Sequence, residues 1–428
     1  EEGPDRVGVN AGGVQASVLS VEGGRGGNVL MVGPGAGLRE FSFDNVVSES
    51  GAQGDVYEGS VRRLVVDFLN GSNGCVLAYG QTGSGKTHTM FGPDAATGSA
   101  VRDPHPDRSG IVPRACAEVM RVLEGKFRQG TVAALRASYV EVYGDAVTDL
   151  LGDGAAVGMW QGVAHRALFT GMCSVPVGDA GELEGMLLKA DAAKRRAATM
   201  MNERSSRAHS VLLLSLLQTR ADTGAEVTST MCFADLGGSE QVFKSDVAEM
   251  HTREAGFLQK ETRMQEAVNI NLGLSALKAC IKSLVEKTYV PYQNSRLTMM
   301  LSSALGGNCR TCVVVTGSSE KRHAVETMQA LRFGEACSLV TNDASRDSMA
   351  AVTRALKAID AEIERVEAAI VAKEKWETVR TVRRDDLHQE GEATCGEEVV
   401  VTSKLVGAEV EREHLELLLS RRRVLTGV

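Results

Sequence analysis

The stretch Cys75-Val76-Leu77-Ala78-Tyr79-Gly80-Gln81-Thr82-Gly83-Ser84-Gly85-Lys86-Thr87 decides how this chain is read. Cys75 to Tyr79 is an apolar run short enough to be a strand buried on both faces of a parallel sheet. Gly80 to Thr87 then matches the pattern G-x-x-x-x-G-K-[ST]. Such a loop turns successive backbone N–H groups toward phosphate oxygens, while the lysine supplies a point charge and the hydroxyl joins the shell of a Mg²⁺ ion. A helix beginning near Lys86 adds its positive end. A glycine-rich surface turn could imitate the pattern, but strand, loop and helix stand in the order that a triphosphate site requires. Gly80, Gln81, Thr82, Gly83, Ser84, Gly85, Lys86 and Thr87 are therefore the candidate nucleotide cradle.

Phosphate chemistry also needs a group that senses the terminal phosphate. Ser229-Thr230-Met231-Cys232-Phe233-Ala234 reads as a strand ending in Asp235, a carboxylate at a strand's carboxyl edge that can act on Mg²⁺ through its water shell. Gly237-Gly238 beside it can swing a backbone N–H onto the γ-phosphate. Ser205-Ser206-Arg207 offers hydroxyls for metal or phosphate, and a guanidinium for a carboxylate such as Glu240. Taken singly, the first could be an ordinary Asp-Gly turn and the second a helix end. Lys278, Lys282 and Lys287 recur along one helix and its end, with Arg296 beyond, and composition alone makes them a solvated face.

The rest of the chain is consistent with an α/β body. Ala16 to Val21 and Asn28 to Val32 read as hairpin strands, and Val56, Val61, Leu64, Val65 and Phe68 follow helical spacing up to Asn70-Gly71. Helices are expected at 113–124, 179–199, 267–285 and 323–340, with strands at 132–142, 211–217 and 312–315. After Val340 the pattern changes. Val352, Leu356, Ile359, Ile363, Val366 and Ile370 follow the 4-3 alternation of a coiled-coil seam, open to three readings: a coiled coil between chains, a helix docked on the body, or a free helix. Three regions are thus expected: 1–340 as the main domain, 341–382 as a neck or short coiled-coil helix, and 383–428 as a linker and C-terminal amphipathic helix.

Composition sets outer bounds. The formal charge of −8, from 47 Lys plus Arg against 55 Asp plus Glu, gives no net pull toward nucleic acid or an anionic membrane. No apolar run approaches the length of about 18 residues that a membrane-spanning helix requires, and no signal pattern opens the chain, so an intracellular place is expected. Nine cysteines are scattered, and Cys309-x-x-Cys312 lacks the second pair or histidine that a zinc site needs.

Together these stretches resemble the kinesin motor domain. Ala78 to Met90 is similar to that family's P-loop, Asn202-Glu203-Arg204-Ser205-Ser206-Arg207-Ala208-His209-Ser210 to its switch I, and Asp235-Leu236-Gly237-Gly238-Ser239-Glu240 to its switch II. Asn269-Ile270-Asn271 through Leu277, Val290 to Thr298, Leu305-Gly306-Gly307-Asn308 and Leu331-Arg332-Phe333 follow in the family's order. The resemblance implies an α/β P-loop NTPase fold with a central mixed sheet of eight strands flanked by helices, here with a C-terminal helical extension. It implies hydrolysis of Mg-ATP to ADP, with microtubule binding coupled to switch-loop changes, or alternatively a non-motile tether that keeps the fold. By the same resemblance Lys86 holds the β- and γ-phosphates, Thr87 and Ser206 reach Mg²⁺, and Asp235 reaches it through water. Asn202 and Ser205 place the attacking water, Gly238 senses the γ-phosphate, and Arg207 closes onto Glu240. His88 lies against adenine, and Lys278, Lys282 and Arg296 face tubulin. The implied place is the cytoplasmic cytoskeleton, with the cilium or flagellar axoneme among the options, and residues 352–370 could pair two copies.

Departures from the family's pattern carry expectations of their own. Its first strand and Arg-x-Arg-Pro adenine-contacting segment have no counterpart where this sequence opens at Glu1-Glu2-Gly3, so adenine is held less firmly unless those residues lie outside the sequence. Ala208 stands for the usual serine of switch I and Gly237 for the usual alanine of switch II. Residues 241–268 are longer than the usual loop, and Thr341 to Ser345 lacks the basic start of a neck linker.

Overall fold

The structure is a computed structural model that describes residues 16–33, 37–93, 106–128, 131–152, 154–161, 167–200, 208–220, 226–240, 272–342, 348–384 and 397–426. The chain divides into two units, Glu1–Arg346 and Asp347–Val428.

In the first unit, β1 (Ser17–Glu22), β2 (Asn28–Gly33) and β3 (Gly37–Ser42) form a small antiparallel sheet. The chain then passes through Gln53–Val56 and a π-turn at Tyr57–Val61 into α1 (Arg62–Leu69). Next come β4 (Asn73–Tyr79), α2 (Lys86–Phe91), α3 (Ile111–Arg128), β5 (Thr131–Tyr143), β6 (Ala146–Asp149), β7 (Val175–Val177) and α4 (Ala180–Met200). β8 (His209–Arg220), β9 (Glu226–Asp235), α5 (272–285), β10 (Cys309–Val315) and α6 (Ala324–Ser338) complete it.

The central sheet runs β7-β5-β8-β9-β4-β10, with β6 on β5. β9 and β10 flank β4 in parallel, while the β5–β8 and β8–β9 pairs are antiparallel. It is the mixed sheet expected, with seven strands among the described residues rather than eight.

Alternation explains how β4 is held. Val76 and Ala78 enter the core on the side of α1, α3 and α4, and Cys75, Leu77 and Tyr79 enter the other core with α5 and α6. Every side chain of the run is buried, each large one adding about 1.5–3 kcal/mol. The Tyr79 ring stacks on Phe333 at 3.9 Å, tying the last residue before the loop to α6. Parallel pairing of β9 with β4 then delivers both carboxyl ends to one edge, where Asp235 lies in register with Ala78. Cys309 and Cys312 fall on opposite faces of β10, so they do not form a chelating pair.

The second unit consists of α7 (Ser348–Lys373), β11 (Lys375–Arg384), β12 (Glu397–Val406) and α8 (Glu409–Thr426). The sequence pattern set a neck or coiled-coil helix to 382 and a linker beyond it; instead the helix ends at Lys373, and an antiparallel hairpin follows with Lys375 opposite Val406. Trp376, Thr378, Val379, Thr381 and Val382 are aromatic or β-branched, which favours a strand. The seam residues Ile359, Ile363, Val366 and Ile370 pack against Leu415 and Leu418 of α8, within the chain. Lys373–Glu411 and Arg412–Glu374 ion pairs at 2.5 Å and Arg422–Asp360 at 2.7 Å fix the two helices antiparallel. Among the described residues no helix is long and apolar enough to cross a membrane.

Candidate active site

The loop between β4 and α2 wraps around the Lys86 ammonium. Gly85 adopts φ +98°, a left-handed conformation that a side chain would strain, and so starts α2 directly after the loop. Lys86 is only 7% exposed and donates to the carbonyls of Gly80 at 2.9 Å and Gln81 at 2.8 Å. Burial lowers its pKa, and the Asp235 and Glu240 carboxylates oppose that shift. Ser84 Oγ donates to the Gln81 carbonyl at 2.8 Å and shares a hydrogen bond with Thr316 Oγ at 2.6 Å, which anchors the loop to the end of β10.

The Thr87 hydroxyl donates to Asp235 Oδ2 at 2.7 Å. Asp235 is 7% exposed, and its other oxygen, Oδ1, is buried without a hydrogen-bond partner among the described residues. A carboxylate oxygen left bare beside a hydroxyl is costly unless something fills its shell. Hard oxygen donors of this kind suit Mg²⁺, which keeps several of its own waters. Among the described residues there is no cluster of three acidic, histidine or cysteine side chains that would make an all-protein metal cage.

Residues 236–240 are tied to the loop at several points. Leu236 N–H donates to the Ala78 carbonyl at 3.4 Å and Ser239 N–H to the Gly80 carbonyl at 3.0 Å. The Glu240 carboxylate accepts from the Thr82 backbone N–H at 2.8 Å and from the Thr82 hydroxyl. Gly238 lies so close that a Cβ there would overlap Thr82 Oγ1 and the Glu240 carboxylate. A side chain there would have to displace both groups.

The positions expected from sequence divide cleanly. Gly80 through Thr87, Asp235, Gly238 and Glu240 meet at one edge of the sheet. His88 stands on α2, its Nδ1 3.1 Å from the Gln53 amide nitrogen, which also donates to the His88 carbonyl at 2.7 Å. Asn202, Ser205, Ser206 and Arg207 lie outside the described residues, as do 241–271. Lys278 and Lys282 lie on the exposed side of α5, where with Arg332 of α6 they line a groove of about 470 Å³. Arg296 opens the short helix Arg296–Met300, away from that groove's lining.

Two further residues belong to the site. Lys194 of α4 donates to Ser210 Oγ at 3.0 Å and stands over the rings of Phe91 and Tyr139 at 5.7 and 5.8 Å. Burial works against its charge, but Tyr139, Asp235, Glu141 and Asp191 outweigh that and raise its pKa. His209, 2% exposed, accepts the Gly237 N–H on Nδ1 at 3.0 Å. Lys194 sits in a charged helical stretch that gave no signal, whereas His209 was quoted within a motif without a role.

Comparison with known proteins places the chain in a family. The kinesin motor domain family matches residues 35–340. A kinesin heavy chain of Neurospora crassa is 32% identical over 310 residues, which cover 71% of this chain and 31% of that protein. Human kinesin heavy chain isoform 5C is 32% identical over 324 residues, covering 75% and 31%. Kinesin-like protein 3 of Schizosaccharomyces pombe is 33% identical over 310 residues, covering 71% and 51%. This chain thus matches between about a third and half the length of these relatives. A solved structure of a fast kinesin, described for its ATPase mechanism and interactions with microtubules, is 30% identical with a TM-score of 0.66, covering 76% of this chain and 86% of that one.

Proposed function

Because the chain belongs to the kinesin motor domain family, we propose that it is a microtubule-stimulated ATPase whose switch segments respond to the γ-phosphate of ATP. The observation that carries this reading is the pair of links from the P-loop to residues 235–240: Thr87 to Asp235, and Thr82 to Glu240.

In this reading Lys86 and the loop N–H groups bind the β- and γ-phosphates, and His88, braced by Gln53, lies against adenine. Thr87 and Ser206 would hold Mg²⁺, with Asp235 acting on it through its water shell, a role that the unpartnered Oδ1 suits. When bound, the ion neutralises phosphate charge that develops as the terminal phosphoryl group leaves. Asn202 and Ser205 orient the attacking water. Gly238 offers its N–H to the γ-phosphate, which requires residues 237–240 to shift and brings Glu240 off Thr82 onto Arg207. Loss of the phosphate reverses the exchange, and the loops relax. Lys278, Lys282 and Arg296 give the acidic tubulin surface its cationic counterpart, so binding weakens as salt screens it.

Steady-state ATP turnover with and without microtubules tests the proposal. Stimulation is expected. A rate that microtubules leave unchanged, with cosedimentation retained in the absence of ATP, would replace the motor reading by that of a lattice-bound tether.

A further inference from the structure

The segment that follows β9 is held by hydrogen bonds of Leu236, Gly237, Ser239 and Glu240, and those of Leu236, Ser239 and Glu240 lead to β4 or its loop. Leu236 binds Ala78, Ser239 binds Gly80, and Glu240 binds Thr82. That of Gly237 leads elsewhere. Gly237 N–H donates at 3.0 Å to Nδ1 of His209, the first residue of β8. Ser210 pairs in register with Asp235, so the backbone ladder between β8 and β9 ends there and a side chain takes over.

That side chain is fixed in chemistry as well as in place. An imidazole whose Nδ1 accepts is neutral and carries its proton on Nε2. Burial, and secondarily the Lys86 ammonium, keeps His209 in that form. Nε2 points toward the first turn of α5, where a Cβ at Gly273 would lie 3.4 Å from it. One ring therefore stands between the strand leaving 201–207, the Gly237-Gly238 pair and the helix that bears Lys278 and Lys282. Gly237 has no Cβ to restrict its backbone, so the bond to His209 restricts it instead.

We propose that His209 is a positioning residue: its Nδ1 holds the Gly237 N–H and so sets where Gly238 and Glu240 stand against the P-loop. Its consequence for turnover rests on the ATPase reading given above; its structural part does not.

Hydrogen–deuterium exchange of the peptide covering 236–240, in the whole chain without microtubules, reads the bond directly. His209→Leu keeps an apolar side chain of moderate size but removes the acceptor, and its amides should exchange about tenfold faster, the equivalent of one lost hydrogen bond. His209→Asn offers Oδ1 in the place of Nδ1 and should restore protection. His209→Gln carries its oxygen one methylene farther and should not. For turnover, the leucine variant should lower kcat by about ten- to a hundredfold while KM for ATP moves less, because misplacement of a positioned group acts on the reacting geometry. Wild-type exchange in the leucine variant overturns the proposal, as does an asparagine variant that exchanges as fast as the glutamine one. If the leucine variant does not fold, the asparagine and glutamine pair decides it by the same criterion. Failure of the wild type to respond to microtubules would overturn the ATPase reading and leave this result standing.

Discussion

Glu240 holds Thr82 by two hydrogen bonds, one to the backbone N–H at 2.8 Å and one to the hydroxyl. A carboxylate on a P-loop amide occupies a donor of the kind that such loops turn toward phosphate oxygens. Removal of the carboxylate should therefore affect turnover more than binding. Glu240→Ala is expected to leave the ATP dissociation constant within about threefold and to slow hydrolysis by about a hundredfold or more, the usual scale for loss of a positioned electrostatic group. Fluorescent-nucleotide titration and single-turnover hydrolysis separate the two; equal hydrolysis rates would remove Glu240 from the mechanism.

Lys86 makes the opposite case. Its ammonium is buried against the Gly80 and Gln81 carbonyls, poised for anionic oxygens. Lys86→Ala should weaken ATP binding by about 1.5–3 kcal/mol or more, the worth of a charge-assisted hydrogen bond. Unchanged affinity in a calorimetric titration would show that the loop does not cradle the phosphates.

Gly238 is constrained by contact, since a Cβ would overlap Thr82 and Glu240. Gly238→Ala should push residues 238–240 away from the loop and cost about 1–3 kcal/mol of stability, as overpacking does elsewhere. Thermal melting would check the cost, and single-turnover hydrolysis should fall with it.

His209 gives stability a pH dependence whose sign follows from burial and the nearby Lys86, which lower its pKa from 6.5 to about 4. Between those values the unfolded chain binds the proton and the folded chain does not. The contribution is therefore full above pH 6.5 and is lost as pH falls toward 4, by about 3 kcal/mol at most. Denaturant titrations across that window should show a steeper loss for the wild type than for His209→Asn.

In the second unit, Ile363 and Leu418 are the buried centre of the contact between α7 and α8. Ile363→Ala should cost that unit about 2–4 kcal/mol, as deletion of buried aliphatic groups does. A melting transition that the substitution leaves in place would show that the two helices do not depend on this contact.

Much of the first unit is legible in sequence because its signals are local and redundant. Cys75 to Tyr79 is apolar throughout since both faces of β4 are covered, and the glycines that follow are fixed by backbone geometry. Asp235 was visible as a carboxylate at a strand end. The partner of Glu240 was not, because Thr82 lies 158 residues away and both are ordinary polar residues. His209 was missed for the same reason: an acceptor for one backbone N–H leaves no spacing pattern. In the second unit the part of the apolar stripe from Ile359 to Ile370 does line the packed face of α7, but a stripe names a face and not its occupant. The hairpin Lys375–Arg384 with Glu397–Val406 escaped because Arg383-Arg384-Asp385-Asp386 and the glutamates that follow resemble a solvated linker.

The antiparallel closure of α7 on α8 has a kinetic meaning. Ile359, Ile363, Val366 and Ile370 already face Leu415 and Leu418, and the ion pairs from Lys373, Glu374 and Asp360 latch the same interface. A second copy reaching that stripe has first to open the helical hairpin, so the activation barrier to such exchange includes local unfolding rather than diffusion alone. Pairing through 359–370 would then be slow, steeply temperature-dependent and hysteretic on dilution.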